Sequence, residues 1–471
     1  MYLVAIRALK IQDLIHSSSR LKEVAGGSYL LGRYCSRISS RVADHVTAHD
    51  KGKYIFYRSS GGEVVAAFEH EKHAREFLRL MKEGYRRLFG RRVISSTTPI
   101  EVGDNGSGSL NELHRDLAIA RYSGFAPTAQ VQNPYVAICW SCGERPADRV
   151  LTDDSGSDEP TVHHFCLSCD LRSKSFEDYK SEVEQKLKGG FTTIPSGVDD
   201  LARHDRSGYV AYMISDGNSF GHFVREIPDL DGYKGFSEDL QETIDECLFS
   251  VLDDAKFLSN NQMAPMLPLM TGGDDLLVLF PARWGISMTL DFVARFEEAA
   301  KALGKYSNSV ESLSMSAGVV ICKQTLSHKT VHEIGEDVIK SAKYTSKRSG
   351  LSSALAFRVL AGSKYCDRDA SNTNLATGCT CGGFRRSEIE EILAMRRELD
   401  DLSSSHRRRL KQCLSSHSPM LDSERERVLK LISERNEDTA LKVREMMSHK
   451  PKSIFAVLEG WEYLESHRRN S

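Results

Sequence analysis

Apolar and polar positions alternate in short runs twice along the first three quarters of the chain, and each round predicts the same order of elements. Residues 2–8 read as a strand, followed by a helical stretch from about Ser28 to His49. Lys53–Tyr57 and Glu63–Phe68 are strand-like runs around Ser59-Ser60-Gly61-Gly62, which predicts a hairpin, and Glu71–Leu88 has helical periodicity. A second round starts at Tyr209. Tyr209–Ser215 reads as a strand and Phe236–Phe257 as a helix. Leu267–Met270 and Leu276–Phe280 are strands around Thr271-Gly272-Gly273-Asp274-Asp275, and Asp291–Leu303 is helical. Leu313–Ile321, Val331–Lys347 and Ala354–Leu360 then read as strand, helix and strand. This order predicts an α+β chain with two ferredoxin-like units, each an antiparallel sheet backed by helices. Because both rounds carry a Gly-Gly hairpin, internal duplication is the economical reading. From about Arg385 the pattern is helical and charge-rich. The expected division is a first unit at 1–100, a linker and cysteine-rich unit at 101–200, a second unit at 201–365 and a helical domain at 366–471.

The net charge of −2 over 471 residues leaves no overall basic field, so any nucleic acid must be held by local patches. No apolar run approaches the ~20 residues that span a bilayer. The first residues read as a strand rather than an export signal, so the cytoplasm is the expected location and no membrane partner is expected. Without an export signal, eleven cysteines do not suggest a disulfide framework. Four of them form two pairs, Cys139-Trp-Ser-Cys142 and Cys166-Leu-Ser-Cys169. Such pairs each wrap one side of a tetrahedral ion, and four thiolates predict one structural Zn2+. His163 and His164 read as ordinary exposed side chains. Cys366, Cys379 and Cys381 share one Gly/Asn/Thr-rich loop, one thiol short of a further four-thiolate set. Arg407-Arg408-Arg409 reads as a solvated helix face, with a phosphate contact as the alternative.

The Gly-Gly-Asp-Asp turn would bring two carboxylates to a hairpin tip, and its glycines would leave the backbone open to a nucleotide. Asp216, in Ser215-Asp216-Gly217-Asn218, falls at the end of the strand that this fold places beside the hairpin. Three converging acids repel one another unless cations compensate, so Asp216, Asp274 and Asp275 are the candidate ligands for two Mg2+ or Mn2+ ions. A two-metal site suits attack of a nucleotide 3′-hydroxyl on the α-phosphate of a second nucleoside triphosphate.

The stretch Tyr209–Gly221, the Gly272–Asp275 turn, the Ser316-Ala317-Gly318-Val319-Val320 strand and the Ala342-Lys343 helix resemble the second palm domain of the large polymerase-like subunit of type III CRISPR effector complexes. That family is related to the GGDEF diguanylate cyclases. Ile11-Gln12-Asp13-Leu14-Ile15, Arg20-Leu21-Lys22-Glu23 and Gly26-Gly27-Ser28 resemble its first palm domain. The resemblance implies an antiviral nucleotidyltransferase that builds cyclic or linear oligonucleotides, with ATP the expected nucleotide. Guide or target RNA and other effector subunits are the implied partners, and a homodimer is left open. It assigns metal binding to Asp216, Asp274 and Asp275 and triphosphate contact to Lys343. Gly217, Gly272 and Gly273 lie in the nucleotide-binding motifs. Asn218 and Ser219 are candidates for ribose or phosphate contacts, with helix capping the alternative.

Matched on Ile11-Gln12, the first palm has Arg7 in place of the first carboxylate, and its turn reads Gly61-Gly62-Glu63-Val64. One acid beside an arginine is a poor metal site, so this palm is expected to be structural. The family's subunit often begins with an HD-type nuclease domain. Here the chain starts on the first palm strand, and His49-Asp50 has no partner histidines in its vicinity, so nuclease chemistry is not expected. Two rival readings remain: a mainly structural palm subunit with little turnover, and a diguanylate cyclase-like enzyme. The turn's Asp-Asp-Leu ending speaks against the latter.

Overall fold

Strand β1 (Tyr2–Ala8) opens the chain and becomes the middle of a sheet. It is followed by α1 (Ile11–Ile15), α2 (Leu21–Arg33), a π-turn at Tyr34–Ile38 and α3 (Ser39–Thr47). Then come β2 (Tyr54–Ser60), β3 (Glu63–Phe68), α4 (Glu71–Phe89), β4 (Val93–Ser95) and β5 (Ile100–Glu101). The sheet order is β2-β3-β1-β4, with β5 also paired to β1. The computed structural model describes residues 1–9, 11–18, 20–89, 93–102, 107–122, 136–153, 161–204, 208–255, 262–307, 313–360, 382–414 and 420–468. The Cys366, Cys379 and Cys381 loop lies outside them.

The hairpin turn is tighter than the sequence suggests. Ser60 pairs with Glu63, so only Gly61 and Gly62 make the bend. Both have positive φ, 58° and 74°, and glycine adopts that region without a side-chain clash. One face of the sheet (Val4, Ile6, Val64, Ala66, Phe68) packs on α4 residues such as Phe77 and Met81. The other face (Leu3, Ala5, Val65, Ala67) joins a core shared with the second palm and the C-terminal helices.

Helix α5 (Ser107–Tyr122) leads to the cysteine knuckles. These are followed by the hairpin of β6 (Arg149–Asp153) and β7 (Thr161–Phe165), then α6 (Leu167–Glu184) and α7 (Val198–Ala202). The second palm comprises β8 (Tyr209–Asn218), α8 (Phe220–Arg225), α9 (Leu230–Asp254), β9 (Leu267–Gly272), β10 (Asp275–Pro281), α10 (Ala282–Ala299), a 3-10 turn at Ala300–Tyr306, β11 (Ser314–Lys323), α11 (His328–Arg348) and β12 (Ala354–Val359). Beyond it are β13 (Phe384–Arg385), α12 (Arg386–Glu398), α13 (Ser404–Leu414), α14 (Met420–Ser433), α15 (Glu437–His449) and α16 (Pro451–Gly460).

The second sheet runs β13-β12-β11-β8-β10-β9. Within each palm, counting only its first four strands, the order is 4-1-3-2, the ferredoxin-like arrangement repeated. The second sheet is mixed rather than wholly antiparallel. β12 runs parallel to β11 because α11 carries the chain back across the sheet face between them. Helix α9 starts earlier than its apolar period suggests, because the Asp229 side chain accepts the Gly232 N–H at 2.6 Å and caps it. Helix α10 begins directly after β10. Almost all of its first twelve residues are buried, which erases the amphipathic signal that would have marked its start.

Candidate active site

Strand β8 extends past Ser215, so Asp216, Gly217 and Asn218 lie within it, opposite Ser316, Met315 and Ser314 of β11. On its other side β8 pairs with β10, and Ser215 stands opposite Leu276. One step closer to the hairpin, the same register sets Asp216 beside Asp275. The hairpin itself closes between Gly272 and Asp275, leaving Gly273 and Asp274 as its two-residue turn. Gly273 has φ 67°, so this turn too depends on glycine.

The three acids interact strongly. The Asp275 carboxyl is pushed up to about 7 by burial and by the charges of Asp274 and Asp216. Asp274 is raised for the same reasons, burial first and then Asp216. Asp216 is turned toward α11, where Lys343 Nζ lies 2.5 Å from its Oδ2. Among the described residues, the three carboxylates do not gather within one 4.8 Å cluster of ligand atoms. They nevertheless present hard oxygen donors whose mutual repulsion a divalent cation would relieve, so the residues fit Mg2+ or Mn2+.

Of the other expected site residues, Asn218 is buried and fully engaged. Its Nδ2 donates to Ser314 Oγ at 2.8 Å, and its Oδ1 accepts from Ser316 Oγ at 2.8 Å, which pins β8 to β11. Ser219 adopts a left-handed conformation, φ 61°, just before α8, and its side chain makes no cap bond.

Further residues around the site make contacts to which the sequence pattern assigns no role. Gln241 of α9 donates to Thr271 O at 2.9 Å and accepts from Gly273 N at 3.4 Å, holding the hairpin from below. Gln12 of the first palm donates from Nε2 to Asp275 Oδ2 at 3.5 Å. A cavity of about 1120 Å³ opens between β2 and α9, lined by residues that include Arg58, Ser60, Lys234, Ser237 and Gln241. Its size is slightly above the usual range of small-molecule sites.

The first palm carries an ion pair where the second carries acids. Its ladder sets Arg7 opposite Glu63, and Glu63 directly follows the two-residue turn, as Asp275 does. Arg7 donates to Glu63 Oε1 at 2.8 and 2.5 Å. Arg58 lies 3.4 Å from Glu63 Oε2 and donates to Tyr233 OH at 3.0 Å. Burial alone would raise the Glu63 carboxyl, but Arg58 and Arg7 hold it below the usual range.

The sulfurs of Cys139, Cys142, Cys166 and Cys169 lie within 4.8 Å of one another, and none is in a disulfide. Each thiol's titration is governed by the other three: Cys139 is driven far down and Cys142 to about 6, while Cys166 and Cys169 are pushed up. Four crowded thiols that cannot all ionise alone fit a tetrahedral Zn2+. His163 is outside this group; its ring packs against Trp140, centroids 4.2 Å apart. Asp50 does have a histidine neighbour, contrary to expectation. His73 Nε2 lies 3.0 Å from Oδ1 and Lys72 Nζ 2.5 Å from Oδ2, an ion-paired tie between the end of α3 and α4. A second cluster of potential ligands, Asp254, Asp291 and His467, is already charge-balanced by Arg295 and Arg468.

Residues 209–352 match the family model for Cas10/Cmr2, second palm domain. The whole chain is similar in fold to crystal structures of Csm1-Csm4 cassettes. It shares 12% identity with one in complex with cA4, at TM-score 0.55, covering 98% of this chain and 69% of that one. A cassette in complex with one ATP gives 12% identity and TM-score 0.56, covering 99% and 70%. One in complex with pppApA gives 11% identity and TM-score 0.52, covering 98% and 68%. At these identities the likeness is one of fold. A search of curated proteins returns no significant match. Among the described residues, no helix is long and apolar enough to cross a membrane.

Proposed function

Because the chain carries a second palm domain of the Cas10/Cmr2 family, we propose that it joins nucleoside triphosphates, ATP foremost, into oligonucleotide signals within a type III CRISPR effector. The observation that carries this reading is the placement of Asp274 and Asp275 at one hairpin, with Asp216 of the neighbouring strand beside them, and two of these carboxyls raised above their usual titration range by burial and by the neighbouring acids. A fold has no stability reason to gather repelling acids, so their juxtaposition points to cation binding. The likeness to cassettes that hold ATP, pppApA and cA4 supports the same substrate class.

In this reading Asp216, Asp274 and Asp275 hold two divalent cations, which supply positive charge beside the reacting phosphate when bound. The 3′-hydroxyl oxygen of one nucleotide bonds to the α-phosphorus of the next. The bond to the bridging α–β oxygen breaks, pyrophosphate leaves, and the hydroxyl proton passes to solvent. Lys343 exchanges its ion pair with Asp216 for the triphosphate. Gly217, Gly272 and Gly273 leave backbone open beside it, and Ser219 is within the same turn. Asn218 contributes by fixing β8 on β11. The cavity between β2 and α9 offers room for a nucleotide, and the first palm, neutralised by Arg7, acts as scaffold. Cys139, Cys142, Cys166 and Cys169 hold one structural Zn2+. The domain division is 1–100, 101–200, 201–365 and 366–471.

The test is incubation of purified protein with each labelled nucleoside triphosphate and Mg2+ or Mn2+, with and without target RNA. Product from wild type and none from Asp275→Asn is expected. Absence of product with every nucleotide would leave the scaffold reading standing.

A further inference from the structure

The segment 11–18 of the first palm is gripped from three sides. From the cysteine-rich unit, Arg172 is one of the largest fully buried side chains in the protein. Its Nη2 donates to Ile15 O at 2.7 Å, its Nη1 to Ser17 Oγ at 2.9 Å and its Nε to Glu23 O at 3.0 Å. It follows Cys169 by three residues on α6. Helices α2 and α6 come close enough for this because Gly26 has no side chain: a Cβ there would sit 1.9 Å from Arg172 O. From the knuckle itself, Ser141 lies between Cys139 and Cys142. Its hydroxyl is 2.9 Å from that of Ser18 and donates to the buried Glu23 carboxylate at 2.5 Å. From the second palm, the His332 ring of α11 stacks on His16, centroids 3.5 Å apart and 15° from parallel.

At the near end of the clamped segment stands Gln12, whose amide meets Asp275 at 3.5 Å. The segment thus runs from the cysteine knuckle to a metal-binding carboxylate of the other palm. A glutamine amide is a neutral donor, so it can fix a carboxylate without adding a charge that competes with the cation.

We propose that Gln12 is a positioning residue for Asp275, and that the zinc knuckle sets Gln12 in place through Ser141, Arg172 and the segment 11–18. This rests on the function proposed above, because Asp275 is taken as a cation ligand. Gln12 presents one carboxylate oxygen in a fixed direction, so the cation meets a preorganised ligand. The knuckle is then an anchor for the active site as well as a local fold element.

The proposal is tested on the zinc-loaded full chain by Mn2+ titration followed by electron paramagnetic resonance, alongside product formation. Gln12→Leu keeps the bulk and removes the donor. It should weaken Mn2+ binding about tenfold and lower kcat while the KM for nucleotide stays put. Ser141→Ala should weaken binding in the same direction by a smaller factor. The double variant should be no weaker than Gln12→Leu alone, because both changes act through one contact. Zinc content must stay at that of the wild type in all three. Gln12→Leu binding Mn2+ as the wild type does would overturn the role of Gln12. Effects that multiply in the double variant would overturn the link to the knuckle. A wild type that binds Mn2+ yet forms no product sinks the proposed reaction while the Mn2+ comparison still decides this inference. A wild type that binds none overturns both.

Discussion

Replacing Asp275 by Asn should make the magnesium-free protein more stable while abolishing its chemistry. Burial and the neighbouring carboxylates raise the Asp275 carboxyl from its ordinary 3.8 to about 7. The folded state therefore binds more protons than the unfolded chain between about pH 4 and pH 7, and stability falls as pH rises through that window. Above pH 7 the ionised carboxylate costs the fold its full penalty. Three pH units at about 1.4 kcal/mol each give an upper bound of about 4 kcal/mol, and solvent at the mouth of the site reduces this to about 2–4 kcal/mol. Asparagine has the same shape and no charge, so at pH 8 it recovers this amount. A unit the size of the second palm should then melt roughly 5 °C or more higher. Near pH 4 the aspartate is itself neutral and the two proteins should melt together. The assay is thermal melting from pH 4 to 8 in magnesium-free buffer with zinc retained, followed by Mg2+ addition, which should stabilise the wild type and leave the variant unmoved. A variant no more stable than wild type at pH 8, or one equally stabilised at pH 4, would refute the reasoning.

Other consequences follow from the same geometry. Glu63→Gln removes the buried partner of Arg58 and Arg7 and should cost about 3 kcal/mol of stability. At a temperature where it stays folded, product formation should remain within about tenfold of wild type; near-complete loss would contradict a structural first palm. Gln241→Leu frees the hairpin backbone at Thr271 and Gly273 and should lower kcat about tenfold with little change in melting temperature, measured by steady-state rates beside a melt. Mass spectrometry under native conditions should find one zinc per chain. Cys166→Ser should abolish that zinc and render residues near 139–169 protease-sensitive; a zinc-free protein with unchanged proteolysis would refute a structural metal.

The paired order of elements was legible because strands and hairpins announce themselves locally, through apolar runs and Gly-Gly turns. So were the four cysteines, since the spacing within each pair alone brings two thiols together. Element ends were less legible. The early start of α10 is hidden by burial on all sides, and that of α9 rests on a single capping bond from Asp229. Gln241 and Arg172 left no trace in the sequence pattern, and Gln12, though it lies in the Ile11-Gln12 stretch that resembles the first palm, is assigned no role by that resemblance. Each acts across elements 30 to 263 positions apart, and a polar side chain acquires its role only once the partner element has docked.

The two palms make the chemistry of the site plainer together than either does alone. In both, the first strand of the palm lies beside the third, and the residue after a two-residue turn stands at the tip. In the first palm that pair is Arg7 and Glu63, and the charges cancel at 2.5 Å. In the second it is Asp216 and Asp275, and the charges add. The strand pairing is the same, so the fold does not require the second arrangement; a salt bridge serves it equally well. What distinguishes the second palm is an uncompensated negative charge, only part of which Lys343 answers. Installing Arg at position 216 should therefore reproduce the first palm's solution. Asp216→Arg is expected to pull the Asp275 carboxyl back below its ordinary range, to raise stability at pH 8 in magnesium-free buffer, and to end Mn2+ binding. Loss of folding instead would mean that the two tips are not equivalent.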